Sequence, residues 1–225
     1  MNEFISSPYF GLSLSILAFA FGTFANHRLR SPFVNPLLVA VALIILLLNV
    51  FHIPLDDYME GASVISLFLA PATVVLALSV YRQIQVLRRY FVPILLGCLA
   101  GAVTAMTSAA LLCRAFGLGD ELMYSMIPKS VTTPIAMEIS RELGGIVPVT
   151  IAAVILTGIL GAVFSPLLIR LFRIQNPIAA GVAIGASSHA IGTSRAIQLG
   201  EVQGAMSGLS LCVSGIITVI LSLFL

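Results

Sequence analysis

Long apolar stretches without a charged residue follow one another along almost the whole chain of 225 residues. Each exceeds the roughly 20 residues that a helix needs to cross a hydrocarbon core about 30 Å thick. They are residues 4–27, 31–55, 61–81, 90–113, 143–169, 174–194 and 202–225, and an eighth stretch, 122–137, is interrupted only by Lys129. The pattern predicts an all-α polytopic membrane protein with about seven or eight transmembrane segments, forming a single integral membrane domain over residues 1–225.

The composition is that of a protein solvated by lipid. Hydrophobic residues make up 59% of the chain and charged residues 9%, whereas about 25% of the residues of a soluble domain are charged. The net charge of +2 does not favour nucleic acid as a partner. Cys98, Cys113 and Cys212 stand singly within apolar runs, which argues against a disulfide framework or a CxxC metal site. We therefore expect no metal and no cofactor.

Basic residues prefer cytoplasmic loops, and their distribution predicts an orientation in the inner (cytoplasmic) membrane. The loops 28–30, 82–89 and 170–173 are basic and are predicted to be cytoplasmic. The acidic loops 53–60 and 117–121 are predicted to lie outside.

That orientation constrains residues 122–142. The loop 170–173, which follows the apolar segment 143–169, is predicted to be cytoplasmic. Residues 122–142 must therefore enter and leave the membrane on the outer side, or cross it an even number of times. We expect a re-entrant or broken helix here. Residues 174–198, which contain a polar run around His189, are the second candidate for such an element.

The two parts of the chain, residues 1–116 and 117–225, share a pattern. Pro36 and Pro148 each open an apolar run, and Pro71 and His189 each interrupt the next one. The charge distribution makes the second copy inverted. Inverted repeats with paired discontinuous helices are the architecture of secondary carriers, so the pattern predicts such a repeat.

Three GxxxG motifs occur, and small residues at this spacing let helix backbones approach closely. One interpretation is helix packing within a single chain, and the other is a face for homo-oligomerisation as a dimer. The motifs are Gly97/Gly101, Gly181/Gly185 and Gly204/Gly208.

The first polar cluster lies between Pro128 and Pro134. Each proline removes a backbone donor and opens the helix, and Pro134 suits the first turn of a new helix with Thr132 or Thr133 as its N-cap. Irregular backbone survives at membrane depth only where it is buried in protein or lines a watery cavity.

The second polar cluster extends from Gly185 to Arg195, directly after an apolar run. Gly192 gives backbone freedom. An Arg at the bilayer centre costs about 2.5–3.5 kcal/mol on the insertion scale, so it needs a partner or an aqueous site.

Two interpretations of these clusters remain open. In one, Lys129 snorkels to the headgroups, Arg195 pairs with Glu138 or Glu201, and His189 is a helix-packing residue. In the other, the clusters form one site for an anionic substrate, because guanidinium and helix N-termini bind carboxylates. The candidate substrate-binding residues are Lys129, Ser130, Thr132, Thr133, Ser188, His189, Thr193 and Arg195.

At two of these motifs the chain resembles the LrgB/CidB family, which includes the YohK-type membrane proteins. The motifs are PKSVTTPIA (128–136) and SSHAIGTSRA (187–196), and the resemblance extends to NPLLVAV (35–41), LAPATVVLA (69–77) and GGIVPV (144–149). It covers essentially the whole chain.

The resemblance implies two functions. Members of the family are described as antiholin-like regulators of murein hydrolase activity and cell lysis that act beside a small holin-like membrane protein of the LrgA/CidA type. The plastidial glycolate/glycerate translocator carries a similar region, and some bacterial relatives are linked to pyruvate uptake. We expect a carrier of small monocarboxylates such as pyruvate, glycolate or glycerate, with the antiholin-like regulator as the alternative.

An enzymatic function is not expected. The sequence contains neither a GxSxG nucleophile elbow nor an HExxH motif. Lys129 and Ser130 are adjacent, and adjacent residues on a helix point in different directions.

Overall fold

The computed structural model describes residues 7–29, 34, 36–68, 71, 74, 81 and 84–225. The chain divides into two compact units, Met1–Val74 and Val75–Leu225. This boundary differs from that of the predicted repeat halves, and the inverted repeat stays a prediction. The predicted interruption at Pro71 lies mostly outside the described residues.

The described residues of the N-terminal unit form three helices: α1 (Pro8–Leu29), α2 (Pro36–Val50) and α3 (Leu55–Ser66). Helix α1 packs against both of the others. Gly11 and Gly61 lie where α1 crosses α3, and a Cβ atom at either position would overlap backbone of the opposite helix. The hydroxyls of Ser15 and Tyr58 are 2.8 Å apart at the same crossing. Small residues here allow the two backbones to approach closely, as is usual between membrane helices.

The C-terminal unit contains the remaining described helices. They are α4 (Ile84–Arg89), α5 (Phe91–Ala115), α6 (Asp120–Met126), α7 (Thr133–Glu142), α8 (Val147–Leu171), α9 (Pro177–Leu199) and α10 (Glu201–Ser222). Helix α9 lies against α5, α8 and α10 and so occupies the centre of this unit. Its start is fixed by Asn176, whose side chain accepts hydrogen bonds from the amides of Ile178 and Ala179.

The core of this unit lies between α5, α9 and α10, where Ile94, Cys98, Met206 and Leu209 are among the buried residues. The GxxxG motifs bring these helices together. Gly97 and Gly101 of α5 face Val182 and Ala186 of α9, and Gly181 and Gly185 of α9 face the backbone of α10. These two motifs thus serve helix packing within the chain, and a face for dimerisation stays a prediction.

Among the described residues, four helices are long and apolar enough to cross a membrane: α1, α5, α8 and α10. Helix α2 is apolar but has 15 residues, which span only about 22 Å. Within the described ranges the chain is helical and contains no strand, as the sequence predicts. The figure of seven or eight crossings stays a prediction.

Candidate functional site

The first break in the helices lies between α6 and α7. Helix α6 ends at Met126 and α7 begins at Thr133, and the residues between them form turns. Thr132 is the N-cap residue with an extended backbone (φ −64°, ψ 148°), and a proline occupies the first turn of α7. The prediction of a break between Pro128 and Pro134 is therefore confirmed, and its cause is the pair of prolines.

A buried group of hydroxyls fixes this break against α8. The Ser125 hydroxyl donates to the carbonyl of Glu121 at 2.6 Å and accepts from the amide of Ile146 at 2.6 Å. Thr150 donates to the hydroxyl of Ser140 at 2.6 Å. We call Ser125, Ser140 and Thr150 the hydroxyl clamp. All three residues are fully buried, and their hydrogen bonds join α6 and α7, on either side of the break, to the start of α8.

The second break lies inside α9. His189 has non-helical torsion angles (φ 40°, ψ −141°) and is buried. Its ring nitrogen Nε2 is 2.9 Å from the carbonyl oxygen of Val154 on α8. The ring passes over Gly158, where a Cβ atom would lie 2.6 Å from Cε1 of the ring. The predicted break near residues 189–193 is confirmed, and His189 itself is its non-helical residue.

Hydroxyls join the second break to α10. The Thr193 side chain donates to the carbonyl of His189 at 2.8 Å and lies 2.8 Å from the hydroxyl of Ser207. Ser188 is buried against α8, where a Cβ atom at Gly161 would overlap it. The polar residues of this motif are thus used mainly to join α9 to α8 and α10.

An open cavity of about 510 Å³ lies where the two polar clusters approach each other. The residues that line it come from α5, the first break, α8 and α9: Ala100, Gly101, Thr104, Ala105, Lys129, Ser130, Thr157 and Ser187. The Lys129 ammonium donates to the carbonyl of Ala105 at 3.5 Å. One lysine and four residues that carry hydroxyls thus lie in an otherwise apolar lining, and a lysine ammonium in such a cavity can bind a small anion.

Lys129 has no carboxylate partner among the described residues, where the only ion pair joins Arg141 to Glu138 at 2.5 Å. Ala105 lies near the middle of α5, one of the four membrane-length helices. A cation at such a depth is costly unless a counter-charge or water compensates it. A counter-charge or a water molecule can reach the Lys129 ammonium through the cavity.

The other candidate residues lie outside the cavity lining. Lys129 and Ser130 line it, whereas Thr132, Thr133, Ser188, His189, Thr193 and Arg195 do not. Sequence reasoning missed three lining hydroxyls: those of Thr104, Thr157 and Ser187. Thr104 and Thr157 lie outside the two polar clusters, whereas Ser187 belongs to the second cluster but was not chosen as a candidate. Only the packing shows which helix face each of them occupies.

Arg195 has local partners. Its Nη1 donates to the side chain of Gln198 at 2.6 Å, while its Nε is buried without a partner. Arg195 forms an ion pair with neither Glu138 nor Glu201 in the described part of the chain, and Glu138 accepts from Arg141 one turn further along α7. A common anion site of Lys129 and Arg195 stays a prediction.

These features define a helical membrane protein with an open, mostly apolar cavity that contains one lysine and lies beside two interrupted helices. The LrgB-like family matches residues 15–225, and the chain belongs to this family.

Similar proteins cover nearly the same length as this chain. It is 36% identical over 219 residues to "Antiholin-like protein LrgB" of Bacillus subtilis, with 97% of this chain and 95% of that protein covered. It is 39% identical over 214 residues to "Uncharacterized protein YwbG" of the same species, covering 95% of each. A Bacillus mycoides protein named antiholin-like LrgB is 35% identical over 215 residues, covering 95% and 94%. No solved structure matches the chain.

Proposed function

We propose that this protein is an antiholin-like protein of the inner membrane that restrains a small holin-like membrane partner and so limits cell lysis. The observation that carries the proposal is the similarity to proteins named antiholin-like LrgB, which extends over at least 94% of each chain. The membrane-length helices fit a protein that acts within the bilayer. These names favour the antiholin-like interpretation over the carrier expected from the sequence.

Lysis of cells that produce the small holin-like partner tests this proposal. Cells are compared with and without this chain, and the loss of turbidity and the release of a cytoplasmic enzyme are measured. We expect this chain to delay both. Equal lysis in the two strains, with the protein present in the membrane at normal level, would contradict the proposal.

A second function is supported by the cavity: passage of a small monocarboxylate such as pyruvate, glycolate or glycerate. One cation and four hydroxyls line the cavity, and the cation has no carboxylate partner within the described part of the chain. A bound carboxylate would supply the missing negative charge. The two interruptions beside the cavity would then correspond to the re-entrant or discontinuous helices of carriers.

Uptake of labelled pyruvate into liposomes that contain only this protein separates the two functions. Lys129→Met keeps an unbranched side chain that is one atom shorter and removes the charge, so a carrier should lose uptake. Thr104→Val removes a hydroxyl from the cavity, and Thr107→Val is its matched control, because the Thr107 hydroxyl bonds to its own helix. If Lys129→Met transports normally, the cavity does not carry anions. If it loses uptake but still delays lysis, the two functions are independent.

A further inference from the structure

His189 holds a backbone conformation that a side chain rarely adopts. The other non-glycine residues with positive φ within the described ranges, His52 and Arg173, lie directly after helices. His189 lies in the interior of a helix of 23 residues. Such conformations persist only where the surroundings fix them, and they cluster at switches and binding sites.

Two hydrogen-bond contacts hold His189, and a third joins its partner Thr193 to α10. On one side its ring meets the carbonyl of Val154. On the other side the Thr193 hydroxyl bonds to the His189 carbonyl and touches Ser207 of α10. The residue therefore contacts α8 through its ring and α10 through the Thr193 hydroxyl. We call the Thr193–Ser207 contact the α10 latch.

The strained residue lies immediately behind the wall of the cavity. Ser187, two residues before it, lines the cavity, and so does Thr157, the neighbour of the Gly158 that accommodates the ring. Any rotation about His189 must move one part of α9 relative to the cavity wall. No other residue inside α9 has non-helical torsion angles, so the backbone of this helix is distorted at His189 alone.

We propose that His189 is the hinge of α9. Residues 190–199 pivot about it relative to residues 177–188, and the α10 latch holds them in the observed position. Opening of the latch changes the width of the cavity beside Ser187. The hinge is independent of whether the protein restrains a holin-like partner or passes an anion, since it concerns only the helix.

Distances between two spin labels on α9 test the hinge directly. The labels are placed at Ala179→Cys and Ile197→Cys, both exposed, in the full chain without its native cysteines and reconstituted in lipid nanodiscs. The sites are 18 residues apart, or five turns, so a continuous helix would separate their Cα atoms by about 27 Å. We expect one narrow distance distribution in the parent protein.

Removal of the latch should release the hinge. Thr193→Val keeps the shape of the side chain but loses its hydroxyl, and we expect a broadened distribution or a second peak. Thr193→Ser keeps the hydroxyl and should restore the narrow distribution. Should Thr193→Val not fold, Ser207→Ala breaks the same contact from α10.

The control is Thr150→Val, which removes a buried hydroxyl of the hydroxyl clamp on α8. It should leave the distribution narrow. A latch variant with the width and mean of the parent protein would overturn the proposal, and so would equal broadening by Thr150→Val, because either result removes the special role of the latch.

Discussion

Gly185 and Gly208 lie on facing helices and should respond in opposite ways to the same substitution. A Cβ atom at Gly185 would overlap the carbonyl oxygen of Ser207 and would lie 2.9 Å from its carbonyl carbon. A Cβ atom at Gly208 would meet nothing closer than Cγ2 of Thr193 at 4.0 Å. The overlap at Gly185 is with backbone, which cannot turn aside as a flexible side chain can.

The gain in helix propensity and the cost of overpacking can be estimated separately. Alanine is favoured over glycine in a helix by about 1 kcal/mol, so Gly208→Ala should raise the free energy of unfolding by up to about 1 kcal/mol. Overpacking typically costs about 1–3 kcal/mol, and at Gly185 it opposes this gain. We expect Gly185→Ala to lower the free energy of unfolding by up to about 2 kcal/mol, because α9 and α10 must move apart.

Thermal unfolding of the purified protein in detergent measures both variants. In a chain of this size about 1 kcal/mol shifts Tm by about 2–4 °C, so Gly185→Ala should unfold several degrees below Gly208→Ala. The oligomeric state is measured in parallel by light scattering. If Gly185→Ala leaves Tm unchanged and alters only the oligomeric state, the motif is a dimer face and not a packing contact within one chain.

Three further predictions concern other parts of the chain. His189→Gly should be more stable than His189→Ala by about 1 kcal/mol or more, the reverse of the order inside a regular helix, because glycine tolerates positive φ; a higher Tm for the alanine variant would contradict the break. Ser140→Ala should lower Tm by about 2–4 °C, since Thr150 loses a buried hydrogen bond worth about 1 kcal/mol; an unchanged Tm would show that the clamp is not needed. In a cysteine-free background, Phe172→Cys should react with an impermeant thiol reagent only from the cytoplasmic side and Gly119→Cys only from outside; labelling of Phe172→Cys from outside would rule out the predicted orientation.

The positions of helix ends and breaks could be predicted because they depend on local chemistry. Prolines open α2 and lie in the first turns of α7, α8 and α9, where the missing N–H costs nothing. The break between Pro128 and Pro134 follows from the same property. The GxxxG spacing pointed to close approach of helices, but only the structure shows that this packing lies inside one chain.

The residues that line the cavity could not be predicted, because they depend on which face each helix turns towards its neighbours. Thr104 and Thr157 are single hydroxyls in apolar runs, and nothing in their neighbours indicates which face they occupy. Arg141 with Glu138, and Arg195 with Gln198, are each three residues apart. That spacing places side chains on one helix face. It could have indicated Gln198, rather than an acidic residue, as the partner of Arg195.

The most direct test of the proposed antiholin-like function uses purified components. Vesicles that contain the small holin-like partner are loaded with a fluorescent dye, and leakage is measured with and without this chain at equal partner content. The proposed function predicts slower leakage in proportion to the amount of this chain, with Lys129→Met as effective as the natural sequence. Leakage at the same rate whether or not this chain is present would contradict it.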